Sequence, residues 1–262
     1  MRALNTAATG MMAQELNVQV ISNNIANMRT TGYKRQRPEF QDLLYEHVNR
    51  VGTQTSSQGN LLPAGIELGS GVKTVGTPRL FTQGDLTQTG NTYDLAIRGD
   101  GFFKILLPDG RTAYTRDGSF QLDAQGRLVT AEGNVVQPGI TIPQTATSVS
   151  INSQGQVSVT LPGSTAQNQV GQIALSNFIN KAGLESMGDN LYLETPASGA
   201  PQDGTPAADG YGNLQQGYLE QANVQAVSEI SDLIAAQRAY EMNAKVITAA
   251  DQMLSTTSNL SR

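Results

Sequence analysis

Apolar residues recur every seven positions near the start of the chain, in two rows that lie three positions apart. The first row consists of Leu4, Met11, Val18 and Ile25, and the second of Ala7, Ile21 and Met28, with Gln14 as its one polar position. This spacing is typical of a helix that packs on another helix. Between Ala3 and Met28 the one charged residue is Glu15, whereas a helix that faces water usually carries charges on its outer side. The pattern therefore predicts a helix that contacts protein on several sides.

A second helix is predicted at the other end of the chain, where the same spacing returns. Its apolar row consists of Leu219, Ala226, Leu233, Tyr240, Ile247 and Leu254, and Val227, Ile230, Ile234, Val246 and Met253 widen it. No Pro or Gly interrupts residues 218–262. A helix of about 40 residues would be about 60 Å long. Such a length exceeds the usual globular range and favours a coiled coil or a helical bundle.

The middle of the chain consists of short segments rich in Val, Ile, Tyr and Phe, which Gly, Pro, Asn and Asp separate. The run from Ser148 to Leu161 alternates apolar and polar residues around Gln154 and Gly155, which predicts a hairpin. Many short strands between such turns are typical of an antiparallel β-domain. Polar stretches at 51–65 and 197–213 flank this region and are predicted to be loops or extended connectors.

The predicted fold class is therefore α+β. Long N- and C-terminal helices form a coiled-coil domain, and an antiparallel β-rich domain with an extended connector is inserted between them. We place the terminal helical domain at residues 1–31 with 217–262. The connector is placed at 32–95 with 200–216 and includes the segment 51–65, and the β-rich domain is placed at 96–199.

Composition narrows the function classes. The 262 residues include 38% hydrophobic and 15% charged residues, and the net charge is -5. This charge gives no footprint for nucleic acid. The basic group between Arg29 and Arg37, which includes Lys34, is offset by the acidic residues that follow it, so we interpret it as a solvated connector. No apolar run approaches the roughly 20 residues of a membrane span, so membrane insertion is not expected. Polar residues interrupt the N-terminal segment, so a conventional cleaved signal peptide is not expected either.

Candidate chemistry is sparse along the chain. There is no cysteine, and His47 is the one histidine, which argues against thiolate or histidine-rich metal sites and histidine-based triads. Asp109, Asp117 and Asp123 lack the spacing of a calcium loop, and turn chemistry accounts for them. The stretch at 69–76 lacks the Gly-Lys-Ser/Thr ending of a phosphate loop. We therefore predict no enzyme activity and no catalytic, cofactor-binding or metal-binding residues.

Four stretches of the sequence resemble the flagellar rod and hook proteins, the axial subunits of the bacterial flagellum. They are "SNNIANMRTTGYKR", "AYTRDGSFQLDAQGRLVTAEGNVVQPGITIP", "GLESMGDNLYLETPASGAP" and "LEQANVQAVSEISDLIAAQRAYEMNAKVITAADQML". The resemblance covers nearly the whole chain. Within the family, the length and the polar segment after Arg50 are similar to those of distal rod subunits, whereas hook subunits carry an extra outer domain.

The resemblance implies a structural subunit that stacks helically into a rigid hollow tube and transmits motor torque to the hook. The terminal helices would form an inner coiled-coil layer around an export channel, and the β-rich domain would form the outer layer. The implied partners are other copies of the chain, proximal rod proteins, the hook protein, the cell-wall and outer-membrane ring proteins, the rod cap and the flagellar type III export apparatus. The implied location is the basal body, from the periplasm to the outer membrane.

The predicted assembly residues lie on the two terminal helices. They are Leu4, Met11, Val18, Ile21, Asn23, Asn24, Ile25, Asn27, Met28, Leu233, Tyr240, Ile247 and Leu254. Asn is a weak helix former, so we interpret its three occurrences here as hydrogen-bonding positions of an interface. The turn from helix to connector is expected at Thr31, Gly32 and Tyr33, with Gly32 as its C-cap or turn position.

Three alternatives stay open at this point. A proximal rod or hook subunit is the first. The second is a secreted β-rich binding protein or adhesin, which would be a monomer with folded termini and a ligand. The third is a glycan-cleaving enzyme, which an activity assay on cell-wall sugar would test.

The resemblance implies that segment 51–65 projects as an extended hairpin onto neighbouring subunits and keeps the rod straight. We therefore expect a chain that lacks residues 51–65 to form a curved or flexible, hook-like polymer, which electron microscopy would measure as a shorter persistence length. Straight, stiff rods from the deletion variant would contradict this prediction.

Overall fold

A computed structural model describes residues 2–49, 64–163 and 166–260 of the chain. Two long helices, α1 (Arg2–Ala26) and α2 (Ala226–Leu260), lie at its ends, and a short 3-10 helix spans Lys181–Gly183. The strands of the described part are β1 (Glu39–Asp42), β2 (Tyr45–Asn49), β3 (Ile66–Gly69), β4 (Val72–Gly76), β5 (Leu86–Gln88), β6 (Leu95–Arg98), β7 (Phe102–Leu106), β8 (Thr112–Thr115), β9 (Gln121–Leu122), β10 (Leu128–Val129), β11 (Val135–Val136), β12 (Ser148–Ile151), β13 (Gln156–Thr160), β14 (Gln167–Gln172), β15 (Leu175–Asn177), β16 (Glu185–Gly188), β17 (Leu191–Leu193), β18 (Gln202–Gly204), β19 (Asn213–Gln216) and β20 (Tyr218–Glu220). The predicted α+β class is confirmed.

The chain divides into two compact units. The helical unit consists of Met1–Ala26, Gln36–Pro78 and Gln225–Arg262, so residues 36–78 group with the two helices. The β unit consists of Asn27–Arg35 and Arg79–Val224. The predicted division into tube, connector and outer domains concerns the assembled protein and stays a prediction.

In the helical unit, α1 and α2 pack against each other and run antiparallel. Gly10 of α1 faces Asn243 of α2. Fourteen residues later in α1, Asn24 donates a hydrogen bond to Glu229, which lies fourteen residues earlier in α2. A Cβ on Gly10 would come within 2.9 Å of Asn243 Nδ2, so glycine permits this close approach of the helices. The buried Ala236 lies between these two contacts on α2. Small and polar side chains therefore form these contacts of the seam between the helices.

Both helices are shorter than the apolar spacing suggests. The first ends at Ala26, and the chain then turns, with Thr30 N donating to Asn27 O at 3.0 Å. The second begins at Ala226, because Leu219 belongs instead to β20, where it pairs with Thr87 of β5. A row of apolar residues every seven positions thus continues past the helix end without being helical.

A two-stranded ribbon completes the helical unit. Strand β1 pairs with β4 and β2 with β3, both antiparallel. Strand β4 lies against α1, where Val72 N contacts Thr9 Oγ1 at 3.4 Å. Residues 50–63 lie outside the described part of the chain, so the expected projection of segment 51–65 stays a prediction.

The β unit contains a nine-stranded antiparallel sheet. Its main path is β16-β17-β8-β7-β11-β10-β9, and β15 bridges β7 and β18. Both faces of β7 are covered, because Phe103 and Ile105 enter the main core whereas Phe102 packs with Tyr114 and Tyr192 on the other side. This alternation follows from the two-residue period of a strand. Strands β12, β13 and β14 form a second sheet whose inner side chains join the main core. The β unit therefore has a sealed core of its own.

Gly32, which follows α1, lies in the β unit and has a φ of +69°. A Cβ there would lie 2.7 Å from the backbone nitrogen of Asp117. We expect Gly32→Ala to lower the free energy of unfolding by about 2–4 kcal/mol, because left-handed strain and overpacking add. Urea unfolding of the monomer would measure the loss.

Gly133→Ala is the matched control for this substitution. Gly133 also has a positive φ, +87°, but a Cβ there meets nothing within 4 Å. Its expected loss is about 1–2 kcal/mol, from backbone strain alone. Equal losses at the two positions would show that the contact with Asp117 contributes nothing.

Candidate assembly surfaces and a buried charge cluster

The predicted assembly residues of the first helix fall into two groups. Leu4, Met11, Val18 and Ile25 are half-buried within the helical unit, whereas Ile21 and Asn24 are buried. Asn23 is exposed. Asn27 and Met28 lie beyond α1 in the β unit, where Asn27 is half-buried and Met28 is exposed. The row of four thus keeps part of each side chain on the outer surface of α1.

The buried Asn24 joins three segments of its own chain. Its Nδ2 donates to Glu229 Oε2 at 3.1 Å and to Gln36 O at 2.9 Å, and its Oδ1 accepts from Gln36 N at 3.0 Å. Glu229 is also buried. A buried polar pair of this kind fixes the register of two helices, because any other register leaves polar atoms unsatisfied. We expected Asn24 to bond across an interface between copies; the described contacts are within one chain, and the expected intermolecular role stays a prediction.

On α2 the predicted assembly residues flank the seam. Leu233 and Ile247 are half-buried, and Tyr240 and Leu254 are exposed. The centre of the seam carries Glu229, Ala236, Asn243 and Ala250, which also recur every seven residues. The apolar row that the sequence shows so clearly is therefore only one side of the intrachain contact.

One exposed apolar surface of α2 lies on the side away from the seam. Val227, Ile230 and Ile234 are 81%, 48% and 46% exposed. Their spacing of three and four residues places them on one face of the helix. Large apolar side chains grouped on one helix face usually mark a contact with another protein surface.

The predicted turn at Thr31, Gly32 and Tyr33 is anchored inside the β unit. Thr31 O accepts a hydrogen bond from Asn190 Nδ2 at 3.0 Å, and Gly32 N donates to Glu220 O at 2.8 Å. The buried Tyr33 ring lies 5.9 Å from the Arg79 guanidinium. This turn therefore delivers the next residue, Lys34, into the interior of the unit.

Lys34, Glu220 and Arg116 form a buried charge cluster that the sequence did not reveal. Lys34 Nζ donates to Glu220 Oε1 at 2.6 Å, and Arg116 Nε donates to Glu220 Oε2 at 2.9 Å. The side chains of Lys34 and Glu220 are fully buried and that of Arg116 is 5% exposed. The segments that carry them are far apart in the chain, so no local pattern could have joined them. We interpreted Lys34 as part of a solvated basic connector, and its burial corrects that interpretation.

Backbone groups complete the cluster. Gly84 N also donates to Glu220 Oε1, and Lys34 Nζ donates to Thr82 O at 2.9 Å. Arg116 Nη1 donates to the carbonyls of Gly99 and Gly101, both at 2.8 Å. Oε1 of Glu220 therefore accepts from Lys34 and Gly84, and Oε2 accepts from Arg116. These bonds offset the cost of removing the charge from water.

The cluster holds two cations and one carboxylate. Burial lowers the pKa of Lys34 below its ordinary value, and the neighbouring Arg116 lowers that pKa further, whereas Glu220 opposes the shift. Glu220 is therefore the member whose loss would leave like charges buried together. The cluster has a structural role in joining residues 27–35 to strands of the β unit.

Within the described ranges, no group of three or more His, Cys, Asp or Glu side chains is placed to hold a metal ion. In the same residues, no helix is long and apolar enough to cross a membrane. What the geometry does show is a β unit with its own core and a helical unit that exposes apolar side chains, as a protein that binds other protein surfaces does.

Comparisons with known proteins agree with this class. Residues 4–34 match the family described as "Flagella basal body rod protein". Residues 96–159 match "Flagellar hook protein FlgE/F/G D1 domain", and residues 215–260 match "Flagellar basal body rod FlgEFG protein C-terminal". The three matches fall on the N-terminal helix, the β unit and the C-terminal helix.

Relatives that match almost the whole chain show which members of this family it is most similar to. The chain is 58% identical to the flagellar basal-body rod protein FlgG of Caulobacter vibrioides over 99% of both chains. It is 39% identical to FlgG of Bacillus subtilis over 100% of both chains. Identity to the rod protein FlgF of Caulobacter vibrioides is 37%, over 99% of this chain and 95% of that one. The chain therefore belongs to the flagellar rod and hook protein family, and within it is most similar to FlgG among these relatives. These relatives are structural proteins, which confirms that this chain is not an enzyme.

We expect Glu220→Gln to lower the free energy of unfolding by about 3–5 kcal/mol, because Lys34 and Arg116 would stay buried without a counter-charge. Lys34→Met leaves Arg116 and Glu220 as a balanced pair, so its expected loss is smaller, about 1–3 kcal/mol. Chemical denaturation followed by circular dichroism would measure both losses.

Glu185→Gln makes the same chemical change as Glu220→Gln at an exposed position of β16 and is expected to change stability by no more than about 0.5 kcal/mol.

The pKa of Lys34 is lowered in the folded protein. At pH values between this lowered pKa and the ordinary pKa of lysine, the unfolded chain therefore binds more protons than the folded chain. The stability of the unsubstituted chain relative to Lys34→Met should therefore rise with pH in that range. A larger loss in Lys34→Met than in Glu220→Gln would refute the assigned charge balance.

Proposed function

We propose that the chain is a subunit of the distal rod of the flagellar basal body. In this proposal, copies polymerise helically into a rigid hollow shaft that carries motor torque to the hook and lets exported subunits pass through its centre. The similarity to the FlgG proteins supports this assignment, since in Caulobacter vibrioides the identity to FlgG is 58% whereas that to the rod protein FlgF is 37%.

The observation that carries the proposal is the contrast between the two units. Most large apolar side chains of the β unit lie in its own core, with Leu106, Ile179 and Met187 among the exposed exceptions. Helix α2, by contrast, exposes Val227, Ile230 and Ile234 along one face. Each would gain about 1–2 kcal/mol by being covered. A subunit that completes its hydrophobic burial only among its copies would expose apolar helix surface in this way.

The near absence of charge on α1 also supports a packed environment. Glu15 is the one charged residue between Ala3 and Met28. Uncharged polar side chains can hydrogen-bond to neighbouring proteins without the desolvation cost of buried ions. Many such contacts for each subunit would distribute torque, so that no single interface carries the load.

The proposal assigns the terminal helices, residues 1–31 with 217–262, to an inner coiled-coil layer around the channel. Residues 96–199 would form the outer layer, and residues 32–95 with 200–216 would connect the two. The proposed partners are the proximal rod proteins, the hook protein, the rings of the cell wall and outer membrane, the rod cap and the export apparatus. The proposed location spans the periplasm to the outer membrane.

We expect Ile230→Asp and Ile234→Asp to leave the monomer folded and to raise the critical concentration for polymerisation at least about tenfold. The reason is that an unpaired carboxylate would be buried between copies, and about 1.4 kcal/mol already corresponds to tenfold. Sedimentation and electron microscopy would measure the polymer. Hydrogen exchange would give protection of residues 3–28 and 219–258 in the polymer beyond that in the monomer.

Ser228→Asp is the control, because it adds the same charge at an exposed position in the first turn of α2, where the helix dipole favours an acidic residue. Normal polymers from the Ile230→Asp and Ile234→Asp variants would exclude this face from assembly. A wild-type chain that stays monomeric under all assembly conditions would overturn the proposed function itself.

A further inference from the structure

Helix α2 carries a second apolar row besides its seam with α1. The row consists of two sets of residues, each with a spacing of seven positions: Ala235, Met242 and Ala249, and Ala239, Val246 and Met253. At 3.6 residues per turn, this second row lies about 80° around the helix from the centre of the seam. Sustained heptad spacing of apolar residues is the pattern of a helix-to-helix contact.

The second row is uncovered within the chain. Met242, Val246 and Met253 are 61%, 47% and 62% exposed. The row contains no charged member over about 27 Å of helix. The face of Val227, Ile230 and Ile234 is shorter, because the charged residues Arg238, Glu241 and Lys245 follow it along the helix. The second row is therefore long enough to take a whole helix.

Helix α1 carries a row that matches it in spacing. Leu4, Met11, Val18 and Ile25 form one track, and Ala8, Glu15 and Ser22 form the other. The first track is half-buried, and Glu15 and Ser22 are exposed. This row faces away from Asn24, so α1 can contact a second helix while it keeps its seam with its own α2.

We infer that the second row of α2 binds α1 of a second copy of the chain, an inference that rests on the proposed function. Copies in a helical tube are related by rotation and translation, so all α1 helices point nearly the same way along the tube. Because α1 and α2 run antiparallel in one chain, α2 also meets the neighbouring α1 in antiparallel fashion. Each α2 then lies between two α1 helices, one from its own chain and one from the next.

Charge limits the registers that this contact can adopt. Among the described residues, no ion pair involves Glu15, Arg238 or Lys245, and all three side chains are exposed. Arg238 and Lys245 lie beside the second row, and Glu15 is the single acid of α1. An antiparallel pair with Glu15 opposite Val246 places its carboxylate beside Lys245 of the neighbouring copy.

The same register matches large side chains with small ones at three of the five remaining positions. Stepping along the two antiparallel rows from Glu15 and Val246 brings Met11 opposite Ala249, Ala8 opposite Met253 and Ile25 opposite Ala235. The other two pairs are Val18 with Met242 and Ser22 with Ala239. A large residue opposite a small one fills the space between two helices without overpacking. The volumes at three positions are therefore compatible with the register that the Glu15 and Lys245 pair favours.

Cysteine cross-linking tests the contact, and the chain has no cysteine of its own. We expect a Met11→Cys, Ala249→Cys variant to form intermolecular disulfides on mild oxidation of the polymer and none as a monomer. The two Cα atoms must approach within about 7 Å for this bond. A Met11→Cys, Ile234→Cys variant is the control, because Ile234 lies on a different face of α2, and we expect no cross-link from it.

A charge exchange tests the register. We expect Glu15→Lys to raise the critical concentration for polymerisation at least about fivefold and Glu15→Lys with Lys245→Glu to restore most of it. Glu15→Lys with Arg29→Glu restores the net charge at an exposed site outside both helices and should not rescue assembly.

The outcomes separate this inference from the proposed function. Polymers that form normally but give no Met11–Ala249 cross-link, or that tolerate Glu15→Lys unchanged, overturn the inferred contact and leave the rod proposal standing. Cross-links of equal yield in the control variant also overturn it. A chain that never polymerises overturns both.

Discussion

The buried carboxylate of Glu220 is the interaction on which the rest of the described β unit depends. Lys34, Arg116 and the backbone nitrogen of Gly84 donate hydrogen bonds to this carboxylate. The backbone nitrogen of Gly32 donates to the main-chain carbonyl of the same residue. Lys34 lies eight residues after the end of α1, and Glu220 lies six residues before the start of α2. Because removing a partner from a buried ion cluster costs far more than the cluster contributes net, this geometry holds the turn at Gly32 and strand β20 in one arrangement. Both chain segments that continue into the long helices are thereby fixed at the same point.

The helical unit follows a different principle. Its intrachain seam uses Gly10, Ala236 and the polar pair of Asn24 and Glu229. Val20 and Ile21 are buried, but many of the other large apolar side chains of this unit are exposed. Small residues let the helices approach closely, and the polar pair specifies register at little gain in hydrophobic burial. Such a unit leaves apolar side chains exposed to solvent, and assembly with other copies would bury them. This is why we assign to α2 both a seam within its chain and the proposed contacts with neighbouring subunits.

Much of the fold follows from the sequence in an identifiable way. The heptad rows predicted both helices, and the turn residues predicted the antiparallel strands between them, including the hairpin around Gln154 and Gly155. The helix ends were less predictable, since Leu219 continues the apolar row but pairs in a sheet. The assembly residues were predicted from the same rows, yet the centre of the α2 seam carries Glu229, Ala236 and Asn243, which no search for large apolar residues would select.

The sequence by itself determined the α+β class, the family and the absence of catalytic chemistry, because periodicity, composition and motifs are local properties of the chain. Only the tertiary structure decided that Lys34 is a buried ion partner and not part of a solvated connector. Its partner Glu220 is 186 residues away, and no local pattern links residues at that separation. The tertiary structure likewise decided which heptad row α1 covers and which it leaves open, since that choice depends on how closely two backbones can approach, and a glycine at position 10 sets this distance.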